Sequence, residues 1–145
     1  PPNLAPIQVV IIPIHKTVAQ LDDIEVKINE IVDELRKKGI AWKYANRKAY
    51  KKGWKFEEYE IKGVPLRIAI GPKDLENGTL EIARRDTLEK QNILQDTVVE
   101  YVEKTLKEIQ DSLYQKALNY RESHITEVDS FVEFQEVLET KGGFV

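Results

Sequence analysis

The chain has 145 residues, the size of one domain with a single hydrophobic core. Hydrophobic residues make up 41% and charged residues 32%, which excludes a disordered chain. The formal charge is −3, which argues against a nucleic-acid binder, and the absence of cysteine excludes disulfides, thiolate nucleophiles and cysteine-based zinc sites. A cysteine-free chain fits a reducing cytoplasm. No run of 18 apolar residues is present, so no membrane span is expected. Methionine is absent, and the ends, Pro1-Pro2 and Lys141-Gly142-Gly143-Phe144-Val145, read as cut from a longer protein.

The elements alternate along the chain. Ile7 to Ile14 is a continuous apolar run rich in β-branched residues, the pattern of a buried parallel strand. Leu21, Ile24, Ile28, Ile31 and Leu35 then recur at helical spacing, with Thr17 and Gln20, or Asp22 and Glu25, available as the capping pair. Gly39 after Lys37 and Lys38 marks the stop. Ile40 to Tyr44 reads as a second strand, parallel to the first. Trp54 to Ile61 reads as a short helix and Val64 to Ile70 as a third strand, ended by Gly71-Pro72. Thr79 to Ala83 is a fourth strand after the Asn77-Gly78 turn. Asp96 to Tyr120 is a long helix with Val98, Val102, Ile109, Leu113 and Ala117 on one face. Ser130 with Glu133 opens a last helix through Leu138. The fold class is α/β with a mixed sheet.

Charge is segregated. Residues 36–67 hold eleven Lys/Arg against three acids, a balance of +8 that leaves −11 for the remainder. Trp42, Tyr44, Tyr50, Trp54, Phe56 and Tyr59, half of the twelve aromatics, fall in the same segment. Cations attract phosphates without reading sequence, and aromatic faces stack on unpaired bases, so their interleaving suits a single-stranded RNA loop. The competing reading is a solvated basic face whose aromatics serve the core.

Enzymatic signatures are lacking. His15 and His124 are far apart in sequence, and no nucleophile–base spacing, glycine-rich phosphate loop or metal-binding pattern occurs. His15 follows the first strand, a place where α/β folds bind ligands.

The middle of the chain carries a resemblance. Gly53-Trp54-Lys55-Phe56, Glu60 through Ile68 (with Val64-Pro65-Leu66-Arg67-Ile68), Ile70 through Leu75 (with Gly71-Pro72-Lys73-Asp74), Arg84-Arg85-Asp86-Thr87 and Glu89-Lys90 occur in order. Together they resemble the anticodon-binding domain of the prolyl-tRNA synthetase family, of the archaeal and eukaryotic type. The likeness covers nearly the whole chain. It implies a class II aminoacyl-tRNA synthetase anticodon-binding domain, a mixed five-stranded sheet flanked by helices, over residues 1–110. Residues 111–145 would be the start of a truncated C-terminal domain. The parent enzyme would use ATP and magnesium and act as a cytoplasmic homodimer. This fragment would hold no cofactor, metal or catalytic residue, and would bind neither DNA nor membrane.

The implied partner is the anticodon stem-loop of proline tRNA, whose second and third anticodon positions are guanine. Guanine offers N7 and O6 as acceptors and N1–H and N2–H as donors, which calls for a cation and a carboxylate respectively. The resemblance assigns the task to Phe56, Glu60, Arg67, Asp74 and Lys90. Glu60 and Asp74 would accept from guanine N–H groups, Arg67 would be the forked donor, Lys90 would reach a base carbonyl or a phosphate, and Phe56 would stack. Alternatively Glu60 and Arg67 pair with each other as a surface salt bridge, and Phe56 is core. Leu88 replaces a glycine usual in the family, and Lys73 a common arginine. A module of the same fold that docks a protein through its acidic long helix is the alternative function.

Overall fold

In the computed structural model, which describes residues 1–45 and 58–145, the N-terminal apolar run forms strand β1, Val9–Pro13, buried along its length. Helix α1, Val18–Lys37, follows and buries Leu21, Ile24, Ile28, Ile31, Val32 and Leu35, the face its 3.6-residue period sets. Of the two possible capping pairs, Thr17 and Gln20 do the work. The Thr17 hydroxyl accepts from Gln20 N–H at 3.2 Å, and Gln20 Oε1 accepts from Lys16 N–H at 2.9 Å. Gly39, at φ 69°, takes the left-handed position just past the helix.

Strand β2, Trp42–Tyr44, pairs parallel with one side of β1, and β3, Leu66–Ile70, pairs parallel with the other. Strands β4, Thr79–Arg84, and β5, Lys90–Leu94, extend the sheet antiparallel, giving the order β2-β1-β3-β4-β5. A six-residue helix α2, Pro72–Asn77, fills the β3–β4 connection. After a 3₁₀ turn at Gln95–Thr97 comes helix α3, Val98–Ser123, then helix α4, Phe131–Thr140, opened by the expected Ser130–Glu133 capping box.

The two sheet faces differ. Tyr44 donates to Glu25 of α1 at 2.8 Å, and Tyr101 of α3 donates to Gln91 of β5 at 3.0 Å, so both helices cover the face that carries Tyr44 and Gln91. By register that face also carries Val9, Ile11, Leu66, Ile68, Ile70, Leu80 and Ile82, all fully buried. Burial, then the Glu25 hydrogen bond, push the Tyr44 phenol above its ordinary range. On the opposite face a helical turn at 58–61 covers only the β1 end, where Tyr59 and Val64 pack with Val10, Ile12 and Ala45. The β3–β5 part of that face has no helix over it among the described residues.

By internal contacts the chain divides into residues 1–110 and 111–145. The buried series on α3 ends at Ile109; Leu113 is half-buried and Ala117, expected on the same apolar face, is exposed. In the second unit α4 buries nothing fully, and Phe131 and Phe134 stack on each other at 6.1 Å. His124 stacks on Tyr120, and a parallel bridge between Ile125 and Phe144 closes the unit, with Phe144 N–H donating to His124 O at 2.8 Å and Thr126 N–H to Phe144 O at 2.9 Å. No helix among the described residues is long and apolar enough to cross a membrane.

The β4–β5 turn is tightly built. Arg84 grips Asp86 with Nε and Nη2, at 3.0 and 2.8 Å to the two carboxylate oxygens. Leu88 sits at φ 61°, the single left-handed non-glycine among the described residues. A turn that favours glycine is therefore retained with a leucine in it, at a steric cost. The Arg84 hydrogen bond holds the Asp86 carboxyl below its ordinary value of 3.8. A carboxyl whose folded pKa is depressed stabilises the fold above its unfolded pKa and loses that contribution as pH falls through the folded one. Asp86→Asn is therefore expected to cost about 1 kcal/mol at pH 7, with the gap to the parent closing below about pH 3.8, read by urea unfolding at several pH values. Leu88→Val, β-branched in a left-handed position, is expected to cost about 1 kcal/mol more than Leu88→Gly in the same assay.

Candidate nucleic-acid interface

Arg67 occupies the middle of β3 at 7% exposure. Its side chain emerges on the face opposite α1 and α3, in lateral register with Val10 on β1 and Ala83 on β4. Its Nη1 donates to Glu60 Oε1 at 3.3 Å. Glu60 rides on the 58–61 turn with its side chain about half exposed. The salt bridge weighed from the sequence therefore exists, but its arginine is buried in the sheet rather than lying on the surface.

Two devices hold the turn that carries Glu60. Tyr59 is buried against Val10, Ile12 and Val64. Arg85, from the β4–β5 turn, donates through Nε to the Glu60 carbonyl at 2.8 Å, while its own N–H donates to Pro65 O at 3.0 Å. Arg85 is otherwise exposed and brings a further cation beside Glu60.

Across the sheet, Arg67, Ala83 and Lys90 form one lateral row. Lys90 is exposed at the start of β5, two strand spacings or about 10 Å from Arg67. The next row is Ala69, Glu81 and Asn92. Both rows have an alanine among charged or polar neighbours.

Asp74 stands apart from the first row, at the third position of α2. Its Oδ2 accepts from Gly71 N–H at 2.7 Å, so one carboxylate oxygen closes the start of that helix. Asp74 also lines a cleft of about 570 Å³ whose floor includes Ala69, Glu81 and Asn92 and whose rim carries His15, Lys16 and Lys73. The structure thus gathers Glu60, Arg67 and Lys90 along one row and puts Asp74 beside the second. Phe56, with Tyr50, Trp54 and the basic residues of 46–57, lies outside the described residues. Lys43 remains exposed on β2, and Trp42 is half-buried with the Arg36 guanidinium 5.9 Å from its ring.

Sequence reasoning missed Arg85, Glu81 and Asn92 as members of this surface. Glu81 was within reach, since Leu80-Glu81-Ile82 alternates and points the glutamate away from the core. Asn92 was not, because the polar Lys90-Gln91-Asn92 does not read as a strand. Among the described residues no cluster of His, Cys, Asp or Glu is arranged to hold a metal ion.

A family model described as "Anticodon binding domain" matches residues 8–105. The chain belongs to that family. Its relatives narrow the class. It is 58% identical over 145 residues to the Proline--tRNA ligase of Christiangramia forsetii and equally to that of Flavobacterium johnsoniae, covering 100% of this chain and 30% of each relative. A crystal structure of prolyl-tRNA synthetase from Cryptosporidium parvum, complexed with L-proline and AMP, matches with a TM-score of 0.85 and 36% identity, over 96% of this chain and 30% of that one. The chain spans about 30% of the length of these relatives and corresponds to the anticodon-binding part of proline–tRNA ligase, with the catalytic portion outside it. The five-stranded mixed sheet is that fold.

Removing the Arg85 clamp is expected to loosen the turn under Glu60. Arg85→Ala should lower stability by about 1 kcal/mol and speed amide hydrogen exchange at 58–64, read by mass spectrometry, while α1 keeps its protection.

Proposed function

We propose that this chain reads the anticodon of proline tRNA on behalf of an enzyme that activates proline with ATP and magnesium and esterifies it to the tRNA. The observation that carries the reading is the row Arg67–Ala83–Lys90 with Glu60 beside Arg67, on the one part of the sheet no described helix covers. A forked donor, a carboxylate and a second cation around a small side chain are what a guanine presented edge-on requires. Arg67 donates to N7 and O6 of one guanine, Glu60 accepts from an N–H of the same base, and Lys90 takes a base carbonyl or a phosphate. Asp74 accepts from a guanine N–H with the oxygen not used on Gly71, and Phe56 stacks on a base.

The type is the archaeal and eukaryotic one. Support comes from the likeness to the Cryptosporidium protein, while the bacterial relatives indicate a form that bacteria also use. Residues 1–110 act as the anticodon domain and residues 111–145 open the next one, in keeping with the division of contacts at 110. The parent is a cytoplasmic homodimer, a reading that rests on the family resemblance.

Titration of the chain with labelled anticodon stem-loops tests this. A proline stem-loop should bind at low salt, more tightly than a guanine-free anticodon, and weaken steeply as salt rises. Arg67→Ala should cost about 1–3 kcal/mol and relax the guanine preference, whereas Lys51→Ala should weaken all RNAs alike. Equal loss for both RNAs on Arg67→Ala would remove its reading role. No RNA binding at low salt would favour the protein-docking alternative.

A further inference from the structure

We propose that Arg85 receives a backbone phosphate of the anticodon loop through its Nη groups while its Nε holds Glu60 in place; this rests on the anticodon-reading function proposed above. Arg85 is not among the residues that the family resemblance assigns to RNA.

Arg85 follows β4 directly, two residues and about 7 Å beyond Ala83 of the Arg67 row. Two bonds fix it from behind. Its N–H donates to Pro65 O at 3.0 Å, and its Nε donates to the Glu60 carbonyl at 2.8 Å. That carbonyl also accepts from Gly63 N–H at 3.1 Å, which closes the turn at a glycine with φ 75°. Neither bond of Arg85 uses Nη1 or Nη2. Among the described residues these groups have no hydrogen bond or ion pair, and the residue is exposed.

The neighbouring cations are committed. Lys62 meets Glu58, Arg67 meets Glu60, and Arg84 meets Asp86 and Glu108. Arg85 meets no carboxylate among the described residues. A guanidinium that spends one N–H on a neutral carbonyl keeps its full charge and a free edge. With Nε tied, the plane of the fork is set before any ligand arrives, so little freedom is lost on binding. The paired Nη hydrogens match two oxygens of a phosphate. A nucleotide whose base lies against Arg67 and Glu60 carries its phosphate to the rim of the same row, where Arg85 stands. The carbonyl bond also makes Arg85 a positioning residue. The Glu60 side chain is half exposed and its contact to Arg67 is 3.3 Å, so its place depends on the turn beneath it.

The test uses this chain and the proline anticodon stem-loop, with an uncharged methylphosphonate placed at one loop linkage at a time. Wild type should lose affinity several-fold at one linkage. Arg85→Gln keeps a donor for the Glu60 carbonyl and removes the charge. It should bind the parent loop several-fold more weakly, with a log–log salt slope shallower by about 1, and show no further loss at that linkage. Arg85→Lys should restore the slope. Arg85→Ala should in addition relax the preference for the proline loop over a guanine-free loop, which loss of a phosphate contact alone would not do. Matched thermal melts confirm that the variants fold. A wild-type slope and linkage loss in Arg85→Gln would overturn the phosphate contact. An unchanged guanine preference in Arg85→Ala would overturn the positioning role. Both results leave anticodon reading intact, whereas failure of wild type to bind the loop at low salt would overturn the reading function and this proposal together.

Discussion

A guanidinium in the centre of a β-sheet constrains everything around it. Arg67 stands on β3, between a parallel neighbour and an antiparallel one, at 7% exposure. Burying a charge costs several kcal/mol unless polar partners meet it. The partner in Glu60 comes from a turn that must be brought over the sheet and kept there. Tyr59 anchors that turn in the apolar cluster from below, and Arg85 ties its carbonyl from the side. Arg85 is in turn placed by the β4–β5 hairpin, whose geometry Arg84 and Asp86 fix and whose strained Leu88 it tolerates. One buried cation thus links the helical turn, the central strand and the hairpin into a single support.

The mixed topology makes this arrangement accessible. A parallel sheet needs crossover connections, which bring helices onto its faces. Here the parallel half, β2-β1-β3, has α1 on one face and the 58–61 turn on the other. From β3 onward the strands are antiparallel, joined by the short α2 connection and a tight turn, so α3 returns to the already covered side. Among the described residues no helix lies over the opposite face of β3–β5, which carries Arg67, Glu81, Lys90 and Asn92. Switching pairing mode within one sheet gives a helix-covered core on one side and a row of charged and polar side chains on the other.

Much of this was legible in the sequence, for physical reasons. Period 3.6 over Leu21–Leu35 and the unbroken apolar run before it leave little choice for α1 and β1. The failures are equally physical. β5 is an edge strand facing solvent with Lys90, Gln91 and Asn92, so no hydrophobic alternation announces it. α2 is too short for a period, and Gly71-Pro72, read as a stop, is also a helix start, with proline at the first position. Ala117 continues the apolar stripe of α3 in sequence but has no buried role in the second unit. Among site residues, Glu60 and Arg67 were named from the family resemblance, and from their spacing only as a pair that could form a salt bridge, which the structure contains. The cleft was legible from neither, because Ala69, Glu81 and Asn92 become neighbours only through lateral register across three strands.

The two alanines, Ala69 and Ala83, carry a consequence for how this surface could change. Each is the small member of a row whose other places are charged or polar. Their size sets the depth available above the sheet, and their side chains carry no hydrogen-bonding group. A single larger residue at either place would raise the floor and shut the surface with every hydrogen-bonding group still present. Under the proposed anticodon reading, the accepted base would be governed by two independent variables, polarity at the long side chains and depth at the short ones. Under that reading, a lineage drifting towards another nucleotide, or towards none, could alter the second without rebuilding the first.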